Sequence, residues 1–224
     1  LSILNITNIN GLINGGISIA QALNEPIIKT DNFRIDSITV YKEKIGSFII
    51  EGNTNNEITG FDLNAVLINR YKHNLEVNGF VPTNGVDPFN VDIRIDKLPL
   101  NWTQPFAKEL FSELSGTLNS KFNISGKISQ PVFEGWLGIE EGLMKIAYSN
   151  VTYRVSDTIH INKDNIGLNN LVIRDNNNNS AVINVALTHA NFGKLNYNAK
   201  IRLNDFLLLN NEDRTDLMAY GNLK

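Results

Sequence analysis

Leu195-Asn196-Tyr197-Asn198-Ala199-Lys200-Ile201-Arg202-Leu203-Asn204 alternates apolar and polar side chains for ten residues without a break. Successive side chains of a strand point to opposite faces, so this stretch has one oily face and one wet face. Val91-Asp92-Ile93-Arg94-Ile95-Asp96 and Phe122-Asn123-Ile124-Ser125 repeat the pattern. Strands of a buried parallel sheet would read as continuous apolar runs. The alternation therefore predicts an antiparallel, all-β chain.

Outward from these stretches, alternation marks further strands over 33–41, 47–52, 61–70, 74–81, 89–98, 121–128, 133–139, 143–148, 151–156, 158–162, 171–174, 181–189 and 195–208. Turn chemistry separates them at Asp31-Asn32, Asn53–Asn56, Thr83-Asn84-Gly85 and Asp175–Ser180. Asn176–Asn179 reads as a hairpin tip, and Glu140-Glu141-Gly142 as a turn. Helix is scarce. Phe106, Leu110, Phe111 and Leu114 suit a helix over Pro105–Leu114, with Thr103 as cap and Gly116 as stop. A weaker helix is expected over Ile17–Leu23. A strand–Gly–Pro turn–strand unit recurs around Gly79 and Gly126, which hints at an array. No linker divides the chain, so 1–224 reads as one β-rich domain with a short helix inside 101–116.

Composition narrows the function classes. The 20 Lys and Arg against 23 Asp and Glu give a formal net charge of −3. Mixed signs near neutrality supply no field for nucleic acid. No cysteine is present, which removes disulfides, thiolate metal sites and cysteine nucleophiles. The 35 asparagines fit an AT-rich coding sequence better than Asn ladders. At that density the sequons at Asn5, Asn101, Asn123 and Asn150 are expected by chance. No apolar run approaches the ~18 residues of a membrane-spanning helix, so any anchor would lie outside this piece.

About a dozen strands with an oily face each pose a solvation problem. A buried large apolar side chain is worth roughly 1.5–3 kcal/mol, so that face needs a cover. Two short helices cannot supply it. Three solutions remain: a two-sheet sandwich, a membrane barrel, or an open trough lined for an apolar guest. The barrel fits poorly, because the aromatics scatter and the strands are uneven. Catalytic groups are hard to find. His73, His160 and His189 stand alone, and the carboxylates serve as the polar partners of strands. Gly135-Trp136-Leu137-Gly138 lacks the Lys and helix of a phosphate loop. Asn162–Gly167 lacks the closing Glu of a calcium loop and reads as a turn. The paired carboxylates of a glycosidase are not evident in the sequence.

Leu114–Tyr220 resembles the C-terminal region of the translocation and assembly module subunit TamB family, within the AsmA-like group. The resemblance is carried by Ser115-Gly116-Thr117-Leu118, Ile124-Ser125-Gly126-Lys127-Ile128 and Gln130-Pro131-Val132-Phe133-Glu134-Gly135-Trp136-Leu137. It continues through Glu141–Ile146, Val151-Thr152-Tyr153, Leu171–Asp175, Ala181–Leu187 with His189, Phe206–Asn210 and Ala219-Tyr220-Gly221. Leu98-Pro99-Leu100 is similar too, and residues 1–100 match loosely. Asn184-Val185-Ala186-Leu187 departs by lacking a Gly ahead of the Ile-x-His-like element.

The resemblance implies an elongated, curled sheet, the β-taco or open half-barrel with an apolar groove. It implies a periplasmic protein anchored in the inner membrane, no enzyme and no cofactor, that carries phospholipid acyl chains towards the outer membrane. A TamA- or BamA-like outer-membrane barrel is the implied partner, with a role in outer-membrane biogenesis and protein secretion. The groove would be lined by Phe122, Ile124, Leu137, Ile139, Tyr153, Val155, Ile173, Ile183, Val185, Leu187, Tyr197, Ile201 and Leu203. The alternative is a structural or adhesive β-sandwich or solenoid with no ligand channel.

Overall fold

A computed structural model describes residues 9–20, 27–40, 43–55, 60–69, 72–83, 86–163, 165–190, 194–210 and 218–223. Its strands are β1 (Ile9–Ala20), β2 (Ile27–Val40), β3 (Glu43–Asn55), β4 (Gly60–Asn69), β5 (Lys72–Pro82), β6 (Phe89–Pro99), β7 (Phe111–Lys127), β8 (Gln130–Ile146), β9 (Thr152–Asn162), β10 (Asn165–Arg174), β11 (Ser180–Ala190), β12 (Lys194–Asn210) and β13 (Met218–Leu223). All thirteen join one antiparallel sheet in sequence order. The strands therefore do not divide into the two sheets of a sandwich. Among the described residues β1 and β13 do not pair with each other, so the sheet is open and not a barrel.

The sheet contains two compact units. One comprises residues 1–96 and 120–135, the other 97–119 and 136–224, so β7 and β8 contribute to both. In the first, Phe48 lies opposite Ile35 and Leu67, and Leu67 opposite Leu75. Gly79 sits between Leu63 and Val91. A Cβ there would lie 2.6 Å from Val91 Cα, so only glycine lets β5 and β6 approach this closely. The wet face is stitched by asparagine: Asn64 Nδ2 donates to Asn78 Oδ1 at 2.7 Å, and Asn123 Nδ2 to Asp92 Oδ1 at 3.0 Å. In the second unit β10, β11 and β12 form a ladder in which Ala181 lies opposite both Ile173 and Leu203.

The expected helices largely give way to strand. Among the described residues helical backbone is confined to a 3-10 turn at Leu100–Thr103 and a single turn, α1 (Gln104–Ala107). The Thr103 hydroxyl does not cap; it donates back to the Leu100 carbonyl at 2.7 Å. Phe111 already begins β7, although Phe111 and Leu114 keep a helical spacing; pairing with the neighbouring strand overrides it. Gln104 ties the turn to that strand, its Nε2 donating to Ser112 O at 2.6 Å. Ile17–Ala20 is strand rather than helix, as Ile-Ser-Ile-Ala with β-branched residues favours. Residues 21–23 of that expected helix lie outside the described residues.

Two expected turns are bulges within longer strands. Glu141 has φ 50° inside β8, which runs unbroken through the expected Glu140-Glu141-Gly142 turn. Asn32 has φ 47° inside β2, at a register shift against β1. Such bulges bend a strand and sharpen its twist without ending it. The split expected between Ser156 and Thr158 is likewise absent from β9. The Asn176–Asn179 tip is a turn, closed by Asp175 N donating to Asn179 O at 3.0 Å.

Candidate functional site: the apolar face of the sheet

In the first unit, cross-strand partners of like character line up in rows. Ile13, Ile35, Phe48, Leu67, Leu75 and Ile95 are successive partners across β1 to β6. At about 4.8 Å per strand this row crosses roughly 24 Å of sheet. A parallel row runs Ile50–Ala65–Val77–Ile93. Phe122 and Ile124 of β7 share this face, since Asn123 between them bonds to the wet-face Asp92.

The second unit repeats the arrangement. Val155, Ile173, Ala181, Leu203 and Leu223 form a row across β9 to β13. Beside it lie Leu171–Ile183–Ile201, Leu168–Val185–Ala199 and Ile161–Ile166–Leu187–Tyr197. Leu137 and Ile139 of β8 join the same face; a Cβ on Gly142 would touch both Ile139 and Val155. The thirteen residues expected to line a groove thus fall on the oily phase of their strands, three pairs of them (Val155–Ile173, Ile183–Ile201 and Leu187–Tyr197) directly opposite one another. Phe122 and Ile124 belong to the first unit and the other eleven to the second.

Burial along these rows is incomplete. Only eleven hydrophobic residues among those described are buried, so the rows are mostly covered in part. Val155 is buried, whereas Ile173, Ile183, Val185, Leu187 and Leu203 are half-buried. Ile201 is 45% exposed and Tyr197 80%. In the first unit the β1 end stands most open, with Ile13 65% exposed.

One end of the second unit's apolar face is closed. Tyr153 of β9 stacks on Phe206 of β12, their ring centroids 5.0 Å apart. The Tyr153 hydroxyl donates to the Leu207 carbonyl at 2.9 Å, and Asn210 N donates to Ser149 O at 2.9 Å. Val151 and Asp175 beneath them are fully buried. Burial raises the Tyr153 phenol above its ordinary pKa of 10.0, and the Asp175 charge adds to the rise. The unfolded phenol therefore loses its proton first. Stability owed to this group is intact below pH 10.0 and falls as pH rises from there through the folded value. Urea unfolding across alkaline pH should show a steeper loss in the wild type than in Tyr153→Phe. The variant starts lower by about 1 kcal/mol for the lost hydrogen bond.

Sequence reading missed both the first unit's rows and this closure. The rows were available in the alternation of 61–81 and 89–98; the closure joins β9 to β12 and has no local signature. Other chemistry finds little support in geometry. His160 is exposed opposite Gly167, and the side chains of His73 and His189 lie outside those described. Among the described residues no group of three or more metal-ligating side chains converges, and no helix is long and apolar enough to cross a membrane.

Comparison with protein-family models, with curated proteins and with solved structures found no match.

Proposed function

We propose that the apolar face holds phospholipid acyl chains, as a segment of a periplasmic bridge that moves lipid between inner and outer membranes. The observation that carries the reading is the set of oily cross-strand rows most of whose members stay half-buried or exposed. Bringing an acyl tail into water costs about 12 kcal/mol, taking ~15 methylenes at ~0.8 kcal/mol each. A continuous oily surface lowers that cost along the path without any nucleotide or catalytic group. The resemblance of Leu114–Tyr220 supplies the setting: a membrane anchor outside this piece, and a TamA- or BamA-like barrel at the outer membrane.

A photo-crosslinking residue placed at Ile183 or Ile201 in protein exported to the periplasm should capture phospholipid, detected by mass spectrometry. The same residue at Lys200 or Arg202, on the opposite face, should not. Equal capture from both faces, or none from either, retires the reading. The packed Tyr153–Phe206 end favours a second reading, a structural β-body filled by its own side chains. Gently purified protein free of lipid and detergent would support that alternative.

A further inference from the structure

Arg154 and Arg174 are direct partners on β9 and β10. Like charges placed opposite one another are destabilising, so this pairing costs stability unless an anion sits between them. The register puts Arg202 on the same face through Val172–Val182–Arg202, and Lys200 through Asn184. This face is the reverse of the oily rows. Among the described residues at the strictly alternating positions of this face in β9 to β12, none is Asp or Glu; Asp205, at a bulge of β12, accepts from Asn222 Nδ2 at 2.6 Å. In a chain of net charge −3, that is a local concentration of positive charge.

The arginine pair borders a cavity of about 730 Å³, whose other walls include Ser115, Glu141, Leu143, Ser156 and Val172. Leu143 and Val172 expose apolar surface there, while Glu141 contributes the one negative charge of the lining. The guanidinium groups are tethered by the β10–β11 turn. Arg154 Nη2 donates to Asp175 O at 3.0 Å, and Arg174 Nη1 to Asn178 O at 3.3 Å. Each guanidinium carries five N–H donors, so most remain for a ligand, and the tethers reduce the ordering cost of binding. Planar forks of this kind match phosphate oxygens.

We infer that this cavity binds a phosphate ester bearing an apolar group, with the phosphate between Arg154 and Arg174 and the apolar part on Leu143 and Val172. The site is independent of the lipid-holding face and survives if that reading fails. Hexyl phosphate, inorganic phosphate and hexanol would be titrated calorimetrically into the purified chain. Hexyl phosphate should bind saturably and at least tenfold more tightly than either other probe. Arg154→Gln and Arg174→Gln should each weaken it tenfold or more, while Lys200→Gln should leave it within twofold. Dihexanoyl phosphatidate against phenyl phosphate then distinguishes a lipid headgroup from a soluble ester; arginine-dependent binding of either supports the site. Equal affinity for hexyl and inorganic phosphate overturns the apolar half. Wild-type affinity in both arginine variants overturns the proposal. Circular dichroism, unchanged in either variant, excludes misfolding as the cause of lost binding.

Discussion

Ile183→Asp should cut phospholipid capture at least tenfold while the chain still folds and reaches the periplasm. Ile183 is flanked on neighbouring strands by Leu171 and Ile201, so a carboxylate there interrupts the oily surface at its middle. An acyl chain crossing that point must desolvate the charge or lift away, and a loss of about 1.4 kcal/mol suffices for a tenfold effect. The side chain is only half-buried. The charged form keeps access to water, so the cost to folding stays near 1–3 kcal/mol, within the reach of an ordinary point mutation. Lys200→Asp reverses a charge on the other face and should leave capture unchanged. Ile183→Val keeps the surface oily and should do the same. Lipid co-purified per chain, with a urea midpoint for each variant, checks both halves. Undiminished lipid in Ile183→Asp would mean the guest, if any, lies elsewhere.

The period-two signal made the sheet legible because it reports a purely local property, which side of the strand each residue occupies. Tyr197–Leu203 and Val91–Ile95 needed no partner to be read. Length was harder to read. A bulge such as Glu141 changes face without ending a strand, and Glu-Glu-Gly looks the same in either role. The short helix failed for a different reason: Phe106, Leu110 and Leu114 satisfy a helical period, yet from Phe111 onward the chain is strand. Pairing with neighbouring backbone decided between them. Nothing local marked the stack of Tyr153 on Phe206, since its members are 53 positions apart, or the meeting of Arg154 with Arg174. Both are consequences of register, which one sequence does not display. The residues expected to line a groove share the oily phase of their strands, while the packed end and the basic reverse face emerged only from the fold.

Asp175→Ala should be the most damaging single change to the second unit, lowering stability by about 3–5 kcal/mol. The side chain is 0% exposed and each carboxylate oxygen is used. Oδ1 accepts from Asn177 N and Asn179 N, both at 2.9 Å, and Oδ2 accepts from Leu207 N at 2.8 Å. It thus fixes the β10–β11 turn and pins that turn to β12. Alanine leaves three backbone N–H groups without an acceptor, each a loss of ~1–3 kcal/mol that water entry partly offsets. Asp175→Asn separates the two jobs. Its carbonyl can keep the turn, while its amide turns a donor towards the Leu207 N–H. Hydrogen exchange at Leu207 should quicken in both variants, but at Asn177 and Asn179 only in the alanine variant. The urea midpoint of the asparagine variant should fall between those of alanine and wild type. An alanine variant within about 1 kcal/mol of wild type would show that the turn and β12 hold together without the carboxylate. Tyr153 and Phe206 would then account for the closed end by packing alone.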